Sequence, residues 1–328
     1  MQAIIPMAGY GTRLRPHTFS RPKPLLNVAG QTMLDHLLDS LKGAAIDEYV
    51  FIVGYLGEQI EAYVAKHYDI KAIFVTQEEM LGQAHAIHLC KERLNGPGIV
   101  VFSDTLFEAD LTPLGRETVD GVAYVKEVDD PRRFGVAELN EQGFVTRFVE
   151  KPESLDNKRV VVGLYYIRDT RWMIRAIETL MARKQMTKGE YYIADAFQVM
   201  VDEGAKFRTE PVSVWLDCGK PETMLETNHY LLAHGHDNSA SIQCDRTVII
   251  PPVRIHPDAT IENAIIGPDV AIASGCHIRN SVIRNSIVDE GARITDAILT
   301  DSLIGQDAQI RGRHQVLIVG DSSSVKFS

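Results

Sequence analysis

From residue 244 onward the chain returns to an aliphatic side chain every five or six positions: Ile255, Ile261, Ile266, Ile272, Ile278, Ile283, Val288, Ile294, Leu299, Ile304 and Ile310. The hexads IHPDAT, IGPDVA, IASGCH, VDEGAR and IGQDAQ share one layout: an aliphatic residue, two spacers, Asp or Gly, then usually a small residue. A β-sandwich would need alternation with period two, and an unpacked tail would lack the aliphatic regularity. The short period therefore predicts a left-handed parallel β-helix whose aliphatic stack fills triangular coils. Asn, Asp, Gly and Ser at the corners suit its tight turns. Positions 272, 288 and 304 step by sixteen, under three full hexads, so some coils must be tightened.

The preceding two hundred or so residues follow another grammar. Strand-like AIIPM (3–7), YVFIVG (49–54), KAIFVT (71–76) and GIVVFSD (98–104) alternate with helical patterns over 31–42, 57–67 and 83–94. Such alternation implies crossover connections and a doubly wound, mixed but mostly parallel sheet, Rossmann-like in layout. Further strands are expected at 122–128, 134–139, 145–151, 161–167 and 209–219, with helices over 170–182 and 221–233. The polar stretch HGHDNSASIQ (234–243) reads as a linker. With 328 residues suggesting about two domains, the expected division is 1–236, a linker at 237–243, and a β-helix over 244–328.

Charge narrows the function. Thirty-four Lys and Arg stand against 44 Asp and Glu, a net charge of −10, which argues against nucleic-acid or anionic-membrane partners. An acidic chain can still hold anionic substrates with a few placed cations and backbone amides. No run approaches the ~18–20 apolar residues of a membrane span, and MQAIIPMAG lacks the pattern of a signal peptide. Cys90, Cys218, Cys244 and Cys276 show no paired spacing, which suits a reducing cytoplasm better than a disulfide framework.

Ligands of such sheets bind at the carboxyl ends of the strands, where both the turn after residue 7 and Asp104 fall. That turn opens MAGYGTRLRPHTFSRPKPLL (7–26). Gly9 and Gly11 allow backbone amides to approach phosphate closely, Arg13 and Arg15 add cations, and prolines on either side stiffen the presentation of Lys23. The spacing is not G-x-x-x-x-G-K-[ST], so this is not an ATPase phosphate loop, and it is not G-x-G-x-x-G, which weakens a nicotinamide reading.

The string G-x-G-T-R-x-x-P…P-K-P-L resembles the sugar-1-phosphate nucleotidylyltransferases, in which a carboxyl-terminal hexapeptide β-helix is a common addition. The resemblance spans the whole chain. It implies a nucleotide site at Ala8, Gly9, Gly11, Thr12, Gln77 and Gly82, with Arg13 and Lys23 as catalytic cations. It further implies a sugar-phosphate site at Gly135, Glu150, Lys151, Gly163 and Tyr165, the last two within VGLY, and Mg²⁺ ligands at Asp104 (in FSDT) and Asp217 (in WLDCG). GEYYIAD (189–195) is similar to the family segment that precedes a helix flanking the sugar pocket. The implied substrates are a nucleoside triphosphate and a sugar 1-phosphate. IIPMAGYGTR is similar to the opening of bacterial glucose uridylyltransferases, whereas Pro24 stands where short thymidylyltransferases commonly carry Gln. The base, dTTP or UTP, stays open, with glucose 1-phosphate favoured.

Blander readings stand beside these. A lone Asp after a strand is commonly a turn or cap residue, a lone Arg such as Arg15 a solvated charge, Gln77 a polar loop residue, and Glu150-Lys151 a surface pair. Trp215 reads as core packing, and His85 with His88 lacks a third ligand for zinc. Three other functions are alternatives: mannose-1-phosphate guanylyltransferase; a bifunctional enzyme whose β-helix transfers acetyl groups with His256, His277 or His314 as base; and a non-catalytic regulatory subunit. The β-helix is expected to support homo-oligomer formation or to cap the catalytic domain.

Overall fold

Strand β1 (Gln2–Pro6) has no polar face, and Ala3, Ile4 and Ile5 are wholly buried, as expected for a central strand covered on both sides. It pairs in parallel with β4 (Glu48–Val53) and β6 (Gly98–Val101), and β4 pairs in parallel with β5 (Ala72–Thr76). The computed structural model describes residues 1–312 and 317–326. Its chain forms two compact units, one of Met1–Gly9 and Leu37–Trp215, the other of Tyr10–His36 and Leu216–Ser328.

In the first unit a nine-stranded sheet runs β10-β9-β11-β6-β1-β4-β5, with β8 on β11 and β12 on β8. Here β8 is Gly121–Glu127, β9 Gly135–Leu139, β10 Val145–Glu150, β11 Arg159–Ile167 and β12 Phe207–Pro211. The β9, β10 and β11 pairings are antiparallel, so the sheet is mixed. Helices α2 (Gly57–His67), α3 (Gln83–His88), α4 (Thr170–Ala182) and α5 (Ile193–Asp202) complete the unit. Phe148, Tyr165, Phe197 and Phe207 form an aromatic cluster with centroid separations from 4.8 to 6.0 Å.

The helix expected over 83–94 stops early. The Leu89 amide is shared between the His85 and Ala86 carbonyls, Cys90 bonds back to Ile87, and a 3₁₀ turn follows at Lys91–Arg93. The expected strand 209–219 is two, β12 and β13 (Val214–Asp217), because Ser213 places both its amide and its hydroxyl on the Glu108 carbonyl and turns the chain. The pattern over 31–42 begins as strand. β2 (Asn27–Val28) pairs with β3 (Gln31–Thr32), and α1 (Met33–Ser40) starts only after Thr32 and Asp35 exchange side-chain-to-backbone hydrogen bonds of 3.1 and 2.9 Å.

The second unit is built on the predicted parallel β-helix. Ile261, Ile278, Ile294, Ile310 and Val325 stack rung on rung, in steps of 17, 16, 16 and 15 residues. Ile272, Val288 and Ile304 stack likewise on another face, which confirms the tightened coils. Corner residues Asn263, Asn280 and Asp296 hold positive φ and bond in a ladder along the axis. Residues 234–243, read as linker, are tied to the first coil: Asn238 brackets Ile255 with two side-chain bonds, and Asp237 accepts from the Val253 amide. Helix α6 (Pro221–Leu231) lies in the same unit, where Asn228 reaches the Asp269 carbonyl at 3.0 Å. All four cysteines are thiols, and burial pushes those of Cys90 and Cys276 up to about 12. Among the described residues no helix is long and apolar enough to cross a membrane.

Candidate active site

In the first unit, the carboxyl ends of β1, β4, β5 and β6 deliver Ala8-Gly9, Gly54, Gln77 and Asp104 to one edge of the sheet. The approach of the first two turns is close. A Cβ at Gly54 would fall 2.6 Å from the Ala8 carbonyl oxygen. Gly9 differs, since a Cβ there would meet nothing within 4 Å, so protein packing does not demand glycine at that position. Gln77 is buried and its amide nitrogen lies 3.2 Å from the Gly82 carbonyl and 3.1 Å from His85 Nδ1. Gly82 has φ +103° and abuts the Tyr191 backbone, which joins the Gln77 region to the GEYYIAD segment. Burial lowers the His85 pKa, with His88 adding to the shift, and His88 itself pairs with Glu178.

Asp104 occupies the half-buried turn between β6 and β7 (Thr105–Glu108). That turn rests on Gly163. The Phe102 amide bonds to the Gly163 carbonyl at 3.0 Å, Thr105 Oγ1 donates to Val162, and a Cβ at Gly163 would fall 2.6 Å from the Phe102 ring. Gly163 thus supports the Asp104 turn. Its neighbour Tyr165 is 2% exposed, with its ring against Phe197, so it is a core residue by placement.

The β9–β10 hairpin gathers the rest of the predicted sugar-phosphate set. Glu150 pairs in register with Gly135, where a Cβ would come within 3.1 Å of Glu150 Oε2. The Lys151 amide bonds to Phe134, and Lys151 takes φ +50°, an uncommon and costly conformation for a residue with a side chain. Lys151 Nζ sits 3.4 Å from Glu150 Oε1, 3.2 Å from the Tyr192 hydroxyl and 5.0 Å from that ring's centre. Burial raises the Glu150 pKa against the pull of Lys151. For Lys151 burial works the other way, but Tyr192 and Glu150 outweigh it and the ammonium is held above its ordinary range. Asp195, also raised by burial, accepts from Thr187 Oγ1 at 2.9 Å. Tyr192 and Asp195 were not singled out in the sequence, although both lie in GEYYIAD. Trp215, expected as core packing, meets Phe134 edge to face at 4.9 Å.

In the second unit, residues 10–26 fold as three short 3₁₀ turns (Thr12–Leu14, His17–Phe19, Lys23–Leu25). Gly11 has φ +62°, and a Cβ there would fall 2.9 Å from Thr18 Cγ2 and 3.3 Å from Lys23 Cβ, so the turn closes only over glycine. Thr12 and Arg13 are exposed, while Pro24 and Leu25 are buried and pin Lys23 from its carboxyl side. Arg15 stacks over Phe19 at 4.8 Å. Asp217 ends β13 and accepts the Gly219 amide at 3.0 Å. A Cβ at Gly219 would lie 2.9 Å from Asp217 Oδ1 and 3.1 Å from Arg13 Nη2, so the guanidinium and carboxylate converge over a glycine. His256 pairs with Asp258 on the β-helix, His277 lies on an exposed strand face, and His314 lies outside the described residues.

Comparison with known proteins gives these residues a family. The nucleotidyl transferase family model matches residues 2–234, and the GlmU-like C-terminal hexapeptide model matches 238–302. A glucose-1-phosphate thymidylyltransferase from Streptomyces griseus is 27% identical over the full length of both chains. A chain from Oryza sativa subsp. japonica, assigned as mannose-1-phosphate guanylyltransferase 3, is 29% identical over 93% of this chain and 86% of its own. A Bacillus anthracis chain assigned as a glucose-1-phosphate thymidylyltransferase, solved with sucrose, superimposes with TM-score 0.60 at 24% identity over 70% of this chain and 94% of its own, a likeness of fold. The chain belongs to the nucleotidyl transferase family, and is an enzyme of its sugar-1-phosphate type.

Proposed function

We propose that the enzyme makes a nucleoside-diphosphate sugar and pyrophosphate from dTTP or UTP and glucose 1-phosphate. The observation that carries this reading is Lys151, an ammonium held at a strained backbone position between Glu150 and Tyr192. Strain of that kind clusters at active sites and ligand clamps. The ammonium suits the sugar phosphate, and the carboxyl groups of Glu150 and Asp195 suit sugar hydroxyls. A sugar-phosphate oxygen attacks the α-phosphorus in line, a new P–O bond forms, the α–β bridging bond breaks, and pyrophosphate leaves. Such chemistry needs positioning and charge stabilisation more than a covalent intermediate.

Arg13 and Lys23 neutralise the triphosphate and the leaving pyrophosphate, and the open Gly9 backbone leaves room for phosphate oxygens. Asp104 and Asp217 offer the hard oxygen donors that Mg²⁺ takes, one or two carboxylates together with substrate phosphates. When bound, Mg²⁺ supplies charge neutralisation at those phosphates. Support for thymidine or uridine comes from the Streptomyces relative and the IIPMAGYGTR opening; support for GTP with mannose 1-phosphate, the second reading, comes from the rice relative. A cytoplasmic homo-oligomer, associating through residues 244–328, completes the proposal, since open coil ends leave ladder groups to be covered. Pyrophosphate release with Mg²⁺, measured for dTTP, UTP, GTP, CTP and ATP against several sugar 1-phosphates, tests it. Strong turnover with dTTP or UTP and glucose 1-phosphate is expected; silence across the panel overturns it.

A further inference from the structure

The segment that bears Arg13 and Lys23 is fastened to the β-helix at several points within the second unit. Arg21, with 16% of its side chain exposed, places Nη1 3.1 and 3.0 Å from the two Asp289 oxygens and Nη2 3.0 Å from Glu290 Oε2. Asn27 donates to the same Asp289 carboxylate, and the Ser20 hydroxyl donates to Asp321. Pro16 packs so near Gly320 that a Cβ there would come within 2.8 Å of it. Asp289 is 6% exposed, and its Oδ1 also takes the Glu290 amide at 2.9 Å. The carboxylate therefore stands on a rigid rung while it grips a loop 268 residues earlier in the chain.

Arg13, Arg15, Arg21 and Lys23 crowd one short segment and repel one another. Arg21 faces two carboxylates, which spend its charge inside the protein. Lys23 follows Arg21 by two residues, and its Cβ lies against Gly11, so the seat of Arg21 is two residues from the wall of the glycine turn. We propose that Arg21, Asp289 and Glu290 are positioning residues: the β-helix holds the phosphate loop so that Arg13 and Lys23 face the triphosphate and pyrophosphate. This rests on the proposed function for its chemistry, though not for its geometry.

The test uses the full chain carrying Arg21→Gln, Asp289→Asn or both, with Arg21→Lys as the conservative variant and Glu262→Gln as a control elsewhere on the β-helix. Amide hydrogen exchange over residues 10–26, pyrophosphate binding by calorimetry, and kcat with KM for the sugar phosphate are measured. In Arg21→Gln and Asp289→Asn, exchange should quicken, and pyrophosphate affinity and kcat should each fall about tenfold, a misplacement effect. KM for the sugar phosphate should stay within about twofold and the double variant should be no worse than either single one, the mark of residues acting as a unit. Arg21→Lys should recover most of the loss, and Glu262→Gln should match the parent. Should Asp289→Asn fail to fold, the half-exposed Glu290→Gln gives a milder form of the same comparison. Unchanged exchange overturns the inference, and so does faster exchange with intact pyrophosphate affinity and kcat, which reduces the pair to a structural one. If the parent chain turns over no sugar 1-phosphate, the functional reading falls while exchange and pyrophosphate binding still decide this one.

Discussion

The Lys151 ammonium lies 3.2 Å from the Tyr192 hydroxyl, so the helix-leading segment 189–195 reaches the end of the β9–β10 hairpin through a polar contact. Tyr192→Phe keeps the ring and removes the oxygen. A lost hydrogen bond of about 0.5–1.5 kcal/mol should raise KM for the sugar phosphate roughly two- to thirteenfold. Steady-state kinetics in both substrates would read this, and an unchanged KM would refute the contact's role.

Lys151→Gly separates backbone strain from chemistry. Glycine accepts φ +50° without cost, so stability should stay within about 1 kcal/mol of the parent while kcat/KM falls by at least about a hundredfold. Urea unfolding beside the kinetic assay checks both halves.

Gly163→Ala should be destabilising by about 2–3 kcal/mol, since the new Cβ meets the Phe102 ring at 2.6 Å and the φ of +79° is unfavourable to alanine. The Asp104 turn rests on that residue, so turnover should fall as well. Denaturant midpoints measured with and without Gly163→Ala would expose an error in this assignment.

Asp104→Asn and Asp217→Asn should each lower Mg²⁺-dependent pyrophosphate release by about a hundredfold or more, with melting temperatures close to the parent's. Retained turnover in either variant removes that carboxylate from the metal assignment.

Burial holds the His17 imidazole below its ordinary 6.5, against the pull of Asp321 and Asp289, and among the described residues its Nε2 has no hydrogen-bond partner. The folded state therefore prefers neutral His17. As pH falls below about 6.5 the unfolded chain takes the proton first, so stability present above that value is lost towards the lowered folded-state pKa. Urea unfolding at pH 7.5 and 5.5 should show a loss on acidification that His17→Gln diminishes. An equal loss in both proteins would assign the effect to other groups.

Much of this was legible in the residues because short-range rules govern it. The aliphatic period of 255–310 fixed the coils, even to the sixteen-residue steps, since each rung must place a side chain inside. Gly11 was legible as a glycine that close backbone approach requires, and what approaches it is the protein itself, at Thr18 and Lys23. Gly163 and Tyr165 show where motif reading stops. One props the Asp104 turn and the other fills the core, and only tertiary packing distinguishes those duties from touching a ligand. Tyr192 and Asp195 went unnamed because nothing in GEYYIAD says which side chain turns towards Lys151. Arg21 and Asp289 were hidden by distance, as no local pattern joins residues 268 apart.

That separation bears on how the enzyme is born. On a ribosome adding about 5–20 residues per second, the glycine turn emerges tens of seconds before the rung that seats it. The first unit's sheet can begin to assemble meanwhile, but Arg21 must wait for Asp289, and Ser20 for Asp321. A nascent chain stalled short of those coils would carry every residue of the glycine turn and still lack its seat, so competence arrives only with those coils.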